Sequence, residues 1–135
     1  MATRSLTEFA HNTGEVVAVV YKHWDGNPDA MMPLFTRFFD RCAALSSPRF
    51  DDPFYLAAKW VVFLAEEDHA GRDDYTDDPL DFLGVGITAP GIEAYEDYVY
   101  TVTSQTEHHT FDVVRPVVTY REALWNGVPP YLPSV

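Results

Sequence analysis

The stretch Thr3-Arg4-Ser5-Leu6-Thr7-Glu8-Phe9-Ala10, His11-Asn12-Thr13-Gly14, Glu15-Val16-Val17-Ala18-Val19-Val20-Tyr21-Lys22-His23-Trp24 decides how the rest of the chain is read. Its two flanks are rich in β-branched and aromatic residues, which suit a pleated, half-buried surface. The segment between them ends in Asn-Thr-Gly, which supplies a position for positive φ. A hairpin follows, broken at Asp25-Gly26-Asn27-Pro28. A chain that opens on a hairpin needs something to cover one face of it. The next segments are helical.

Met31, Leu34, Phe35, Phe38, Phe39, Cys42 and Leu45 recur at spacings of three and four, a single apolar stripe with Arg37, Asp40 and Arg41 off it. Asn27-Pro28 suits a cap and first turn, but Pro33 lacks a donor, so the reading is a helix over about 31–46 whose regular part starts near Pro33. Asp51-Asp52-Pro53 is a second start signal, with Asp52 as cap and Pro53 in the first turn. The helix from Pro53 to about Asp68 is apolar on nearly every side and reads as the central element of the core, buried on more than one face.

Further strands are expected at Phe82–Thr88, whose glycines let another backbone approach, and at Tyr95–Thr103 and Thr110–Tyr120, joined by Ser104–His109. A short helical turn is expected at Tyr120–Trp125, then an extended Pro-rich tail. The order β-β-α-α-β-β-β predicts an α+β domain over residues 1–127, with a mostly antiparallel sheet of about five strands, two helices on one face, and a tail over 128–135.

Composition narrows the classes. The chain has 135 residues, 47% hydrophobic and 15% aromatic, which suits one domain with a real core. Cys42 alone excludes an internal disulfide framework and a cysteine-built zinc cluster. No apolar run approaches a membrane span, and the start lacks the apolar stretch of a signal peptide, so a cytoplasmic protein is expected. Nine basic against 21 acidic residues give a net charge of −12. That sign disfavours direct nucleic-acid binding and anionic membranes, and favours either solubility or a partner with a basic surface.

Two places gather chemistry. Closing the hairpin near residues 12–13 pairs positions whose numbers sum to about 26, which sets Arg4 opposite Lys22 and brings Arg4, Lys22, His23, Trp24 and Asp25 to one end of the sheet. An imidazole, two cations, a carboxylate and an indole there suit a small anionic or nucleotide-like ligand. The plainer alternative packs His23 and Trp24 against the first helix while Asp25 shapes the turn.

The second place is the acidic run Glu66, Glu67, Asp68, Asp73, Asp74, Asp77, Asp78 and Asp81. It lacks the alternating order of a calcium loop and reads as an exposed loop. Glu107-His108-His109 reads as a turn rather than a metal site, because adjacent strand residues face opposite ways. Cys42 reads as a small buried hydrophobe. No phosphate-cradling loop, nucleophile elbow or zinc-protease motif occurs, so neither catalytic residues nor a cofactor or metal is expected.

Met1-Ala2-Thr3-Arg4-Ser5, followed by Tyr21-Lys22-His23-Trp24-Asp25-Gly26-Asn27-Pro28, resembles a family of small phage and prophage proteins with no assigned activity. Those open Met-Ser-Thr-Arg-Ser and carry Cys-His-Trp-Asp-Gly-Tyr-Pro after a hairpin. Here Lys22 stands for the cysteine and Asn27 for the tyrosine. The likeness covers about the first 30 residues, and Asp97-Tyr98-Val99-Tyr100 loosely. It implies a phage setting.

With the charge, the leading expectation is a non-enzymatic accessory protein that binds a host protein stoichiometrically. Its acidic surface would imitate nucleic acid, as an inhibitor of a nuclease or CRISPR effector does. The alternatives are a small-ligand binder at the hairpin corner and a virion structural or assembly protein.

Overall fold

A hairpin turn held by His11 and Gly14 starts the fold: the His11 N–H donates to the Glu15 carbonyl and the Gly14 N–H to the His11 carbonyl, each at 2.9 Å, with Gly14 at φ 90°. The structure is a computed structural model and describes residues 3–70, 78, 80, 83–92, 96–107 and 113–123. Its elements are β1 (Ser5–Ala10), β2 (Val16–Lys22), α1 (Pro28–Ala43), α2 (Pro53–Ala70), β3 (Val85–Thr88), β4 (Tyr98–Thr103) and β5 (Val117–Glu122). They form an α+β fold with a five-stranded mixed sheet in the order β3-β2-β1-β4-β5. Three of the four pairings are antiparallel, while β1 and β4 run parallel at the centre.

The helices share one face of this sheet. Phe9, Val20, Tyr100 and Val102 point into a single core with Met31, Phe35, Phe38 and Phe39 of α1 and Leu56, Trp60, Phe63 and Leu64 of α2. Leu6, Val19 and Val99 form a separate buried group on the other face. Trp60 is the centre of the aromatic packing. It stacks on Phe35 at 4.6 Å and on Phe63 at 5.7 Å, and meets Phe38 edge-on at 5.0 Å.

The structure corrects several readings of local structure. α1 begins at Pro28, not near Pro33, and Pro33 lies inside it. Proline there removes one helical bond, that to the Asp29 carbonyl, and both residues are exposed in the first turns of the helix. α2 is not buried all round. Its Asp52 cap forms as expected, the carboxylate accepting from Phe54 and Tyr55 N–H at 3.1 and 3.3 Å. Yet Phe54, Tyr55 and Val62 remain 57%, 54% and 57% exposed. A two-layer fold covers one side of a helix, and no described element lies over the other.

The expected helical turn at Tyr120–Trp125 is instead strand as far as Glu122, because β5 continues its ladder with β4 to the pair Tyr98↔Glu122. The glycines of the Phe82–Thr88 segment were expected to admit a backbone. At Gly84 the His23 N–H donates to the carbonyl at 2.8 Å, and the Trp24 indole also fills the space a Cβ would need, at 2.6 Å. The connection expected at Ser104–His109 is longer, since β5 starts only at Val117. His108 and His109 of that connection, the end of the expected helical turn and the tail over 128–135 lie outside the described residues.

Candidate functional site

The hairpin register is offset by one from the expected pairing. Ser5, not Arg4, lies opposite Lys22, and a bulge between Phe9 and Ala10 restores the expected sum only at Ala10↔Val16. Strand alternation then divides the expected corner. Lys22 shares the helix-covered face with its partner Ser5 and is only 5% exposed. Its ammonium donates to the Trp24 carbonyl. Burial pushes its pKa below the ordinary lysine value, against the attraction of Asp25 and Asp68. Lys22 is therefore a structural cation. It is not available to a ligand beside His23.

Tyr21 and His23 sit on the opposite side. The Tyr21 hydroxyl and His23 Nδ1 are 2.7 Å apart, and the His23 ring meets the Trp24 indole edge-on at 5.3 Å. Arg4 stands beside the Tyr21 phenol and partly offsets the rise in pKa that burial imposes on it. The Arg4 N–H donates to Asp97 Oδ2 at 2.9 Å, and the Asp97 N–H returns a bond to the Arg4 carbonyl at 2.8 Å. Asp25 adopts φ 55° and is exposed, so it shapes the turn. Trp24 packs over Gly84. The result is a cleft of about 250 Å³ bounded by Tyr21, His23, Trp24 and the 83–86 segment.

Of the corner residues, the structure brings His23 and Trp24 together, places Arg4 beside Tyr21, buries Lys22 on the other face and leaves Asp25 exposed at the turn. Sequence reasoning missed Tyr21 and Asp97. The i, i+2 spacing of Tyr21 and His23 on a strand was a usable signal for the first. Asp97 had none, because its partner is 93 residues away.

The acidic run is less free than its composition suggests. Glu67 pairs with Arg37 of α1 at 2.7 Å, and Glu66 pairs with Arg41. Asp68 accepts from the Gly84 N–H at 3.4 Å, and Asp78 accepts from the Leu80 N–H at 3.0 Å. The expectation of a uniformly solvated loop is thus corrected at its start: Glu66, Glu67 and Asp68 belong to α2, and the first two bind it to α1. These ion pairs are exposed and add little stability, but they neutralise local charge. Asp73, Asp74, Asp77 and Asp81 lie outside the described residues.

A third place was not anticipated. α1 and α2 leave an open groove of about 350 Å³ between them. Phe38, Cys42 and Phe63 form its buried floor, while Leu45, Tyr55 and Val62 are its exposed walls. Burial pushes the Cys42 thiol pKa up, with Lys59 and Arg41 opposing, so Cys42 stays a neutral thiol, as expected of a small hydrophobe.

Among the described residues, no group of three or more metal-ligating side chains converges, and no helix is long and apolar enough to cross a membrane. No protein family, curated protein or solved structure matches the chain.

Proposed function

We propose that the chain is a phage-type accessory protein that acts by stoichiometric binding to a host protein with a basic surface. The observation that carries this reading is how the fold uses its cations. Arg37, Arg41, Arg49 and Arg115 are each held by one of its own acids, namely Glu67, Glu66, Asp52 and Asp40. With a net charge of −12, the surplus acids have few remaining cations to neutralise them. Such a field steers basic partners and repels nucleic acid. In its specific form, the reading is an anti-defence inhibitor whose carboxylates occupy a groove that normally receives nucleic acid, and it rests on Asp73, Asp74, Asp77 and Asp78 more than on the paired Glu66 and Glu67.

The test uses the host protein that co-purifies with the chain, itself purified and titrated. Affinity is expected to fall steeply between about 50 and 500 mM salt, because exposed charges are screened over roughly 8–10 Å. Replacing Asp73, Asp74, Asp77 and Asp78 together by asparagine is expected to slow association much more than it speeds dissociation. Glu66→Gln with Glu67→Gln is expected to change little by comparison, since those charges are already neutralised. A partner that binds equally well across that salt range, and accepts nucleic acid while saturated, would sink the reading.

The cleft beside Tyr21, His23 and Trp24 favours a second reading, a small-ligand binder. The His23 imidazole would meet a polar group there, with Arg4 beside the neighbouring Tyr21, and the indole would supply a flat apolar surface. On that reading His23→Ala weakens ligand binding at least about tenfold with the melting temperature nearly unchanged, because His23 lies at the rim of the fold. Isothermal titration with nucleoside monophosphates, beside a thermal melt, checks both. Loss of the fold in His23→Ala would show instead that the Tyr21–His23–Trp24 contacts are structural.

A further inference from the structure

The groove between α1 and α2 combines two features that differ from the rest of the surface. It is apolar on the floor and on both walls, with Leu45, Tyr55 and Val62 left exposed around buried Phe38 and Phe63. It also carries an ammonium, that of Lys59, on a chain whose net charge is −12. Arg41 and Lys59 line it, and the Arg49 guanidinium lies 4.2 Å above the Tyr55 ring, fixing that wall. Arg41 is shared with Glu66, whereas Lys59 has no ion-pair partner among the described residues.

Leu45, Tyr55 and Val62 gather their exposed surface around one open groove, where the body of a ligand would cover it. The volume falls within the range of small-molecule sites, and such sites join an apolar lining to a few placed polar groups. Lys59 favours an occupant with a negative charge over a basic partner protein. We infer that this groove is a binding site for an amphipathic carboxylate, a small molecule whose alkyl or aryl body lies on Phe38, Phe63 and Val62 while its carboxylate meets Lys59. This site lies apart from the hairpin corner and does not depend on the acidic surface proposed above.

Decanoate, decanol and the fluorescent aryl sulfonate anilinonaphthalenesulfonate are the probes. Decanoate is expected to bind the folded protein, to displace the sulfonate, and to bind more tightly than decanol of the same chain length. Lys59→Gln leaves a polar side chain one atom shorter and removes its charge. It is expected to weaken decanoate about tenfold while leaving decanol unchanged, since a charged partner is worth about that factor. Ala58→Trp is an exposed substitution in the groove lining, expected to fill it and abolish binding of all three probes with the melting temperature retained.

Three results would overturn the inference. One is equal binding of decanoate and decanol by the unaltered protein. Another is decanoate affinity that survives either substitution. The last is a concentration-dependent dimer, seen in sedimentation and lost in Ala58→Trp, which would assign the groove to contact between copies of the chain.

Discussion

Trp60→Ala is expected to lower the unfolding free energy by about 3–5 kcal/mol, the range for truncating a large aromatic residue in a packed core. Trp60 is fully buried and touches the rings of Phe35, Phe38 and Phe63, so its loss leaves a void between both helices at once. For a domain of this size the melting temperature should drop by about 10 °C or more. Trp60→Phe is expected to cost much less, within about 1–2 kcal/mol. Its ring keeps most of the stack, and it removes an indole N–H that is buried without a hydrogen-bond partner. Calorimetric melts of both variants check the prediction. An unchanged melting temperature in Trp60→Ala would remove α2 from the centre of the core.

Gly26→Ala is expected to destabilise by about 2–3 kcal/mol, although the change adds one methyl group. A Cβ at this position would lie 2.9 Å from the Arg4 carbonyl carbon, the Ser5 Cβ and the Thr3 carbonyl oxygen. Two of those atoms are backbone and cannot swing away. The segment is held there from both sides, since the Gly26 N–H donates to Thr3 O at 2.9 Å and the buried Tyr100 hydroxyl donates to Gly26 O at 2.7 Å. Tyr100→Phe leaves that carbonyl buried without its donor and is expected to cost about 1–3 kcal/mol. The double variant should cost less than the sum, because both changes release the same strand-to-helix connection. Chemical denaturation of the three variants reads this directly. Full additivity would show that Tyr100 and the glycine act independently.

The candidate corner shows how far residue types and spacing carry. Arg4, His23 and Trp24 were legible as neighbours because any hairpin closing near His11–Gly14 brings Thr3–Ser5 to Tyr21–Asp25. Their faces were not legible. Face depends on register to a single residue, and the bulge between Phe9 and Ala10 shifts it. That one-residue offset buries Lys22 under the helices and sets Tyr21 and His23 on the other side. The groove was illegible for a different reason. Tyr55, Val62 and Trp60 are all apolar, and nothing in the period of α2 distinguishes the face the sheet will cover from the face it will not.

The sequence by itself determined the element order, the hairpin turn at Gly14, the Asp52 cap and the aromatic stripe of α1. Each depends on chemistry within a few residues: positive φ, a carboxylate two or three positions before orphan N–H groups, and a 3.6-residue period. Only the tertiary structure decided the parallel pairing of β1 with β4, the continuation of β5 to Glu122 and the exposure of Phe54, Tyr55 and Val62. It also decided the ion pairing of Glu66 and Glu67 with α1. These join residues some 25 to 93 positions apart, as in Arg41–Glu66 and Arg4–Asp97. Such contacts form only when burial elsewhere repays the entropy of closing a long loop, a balance that no local pattern encodes.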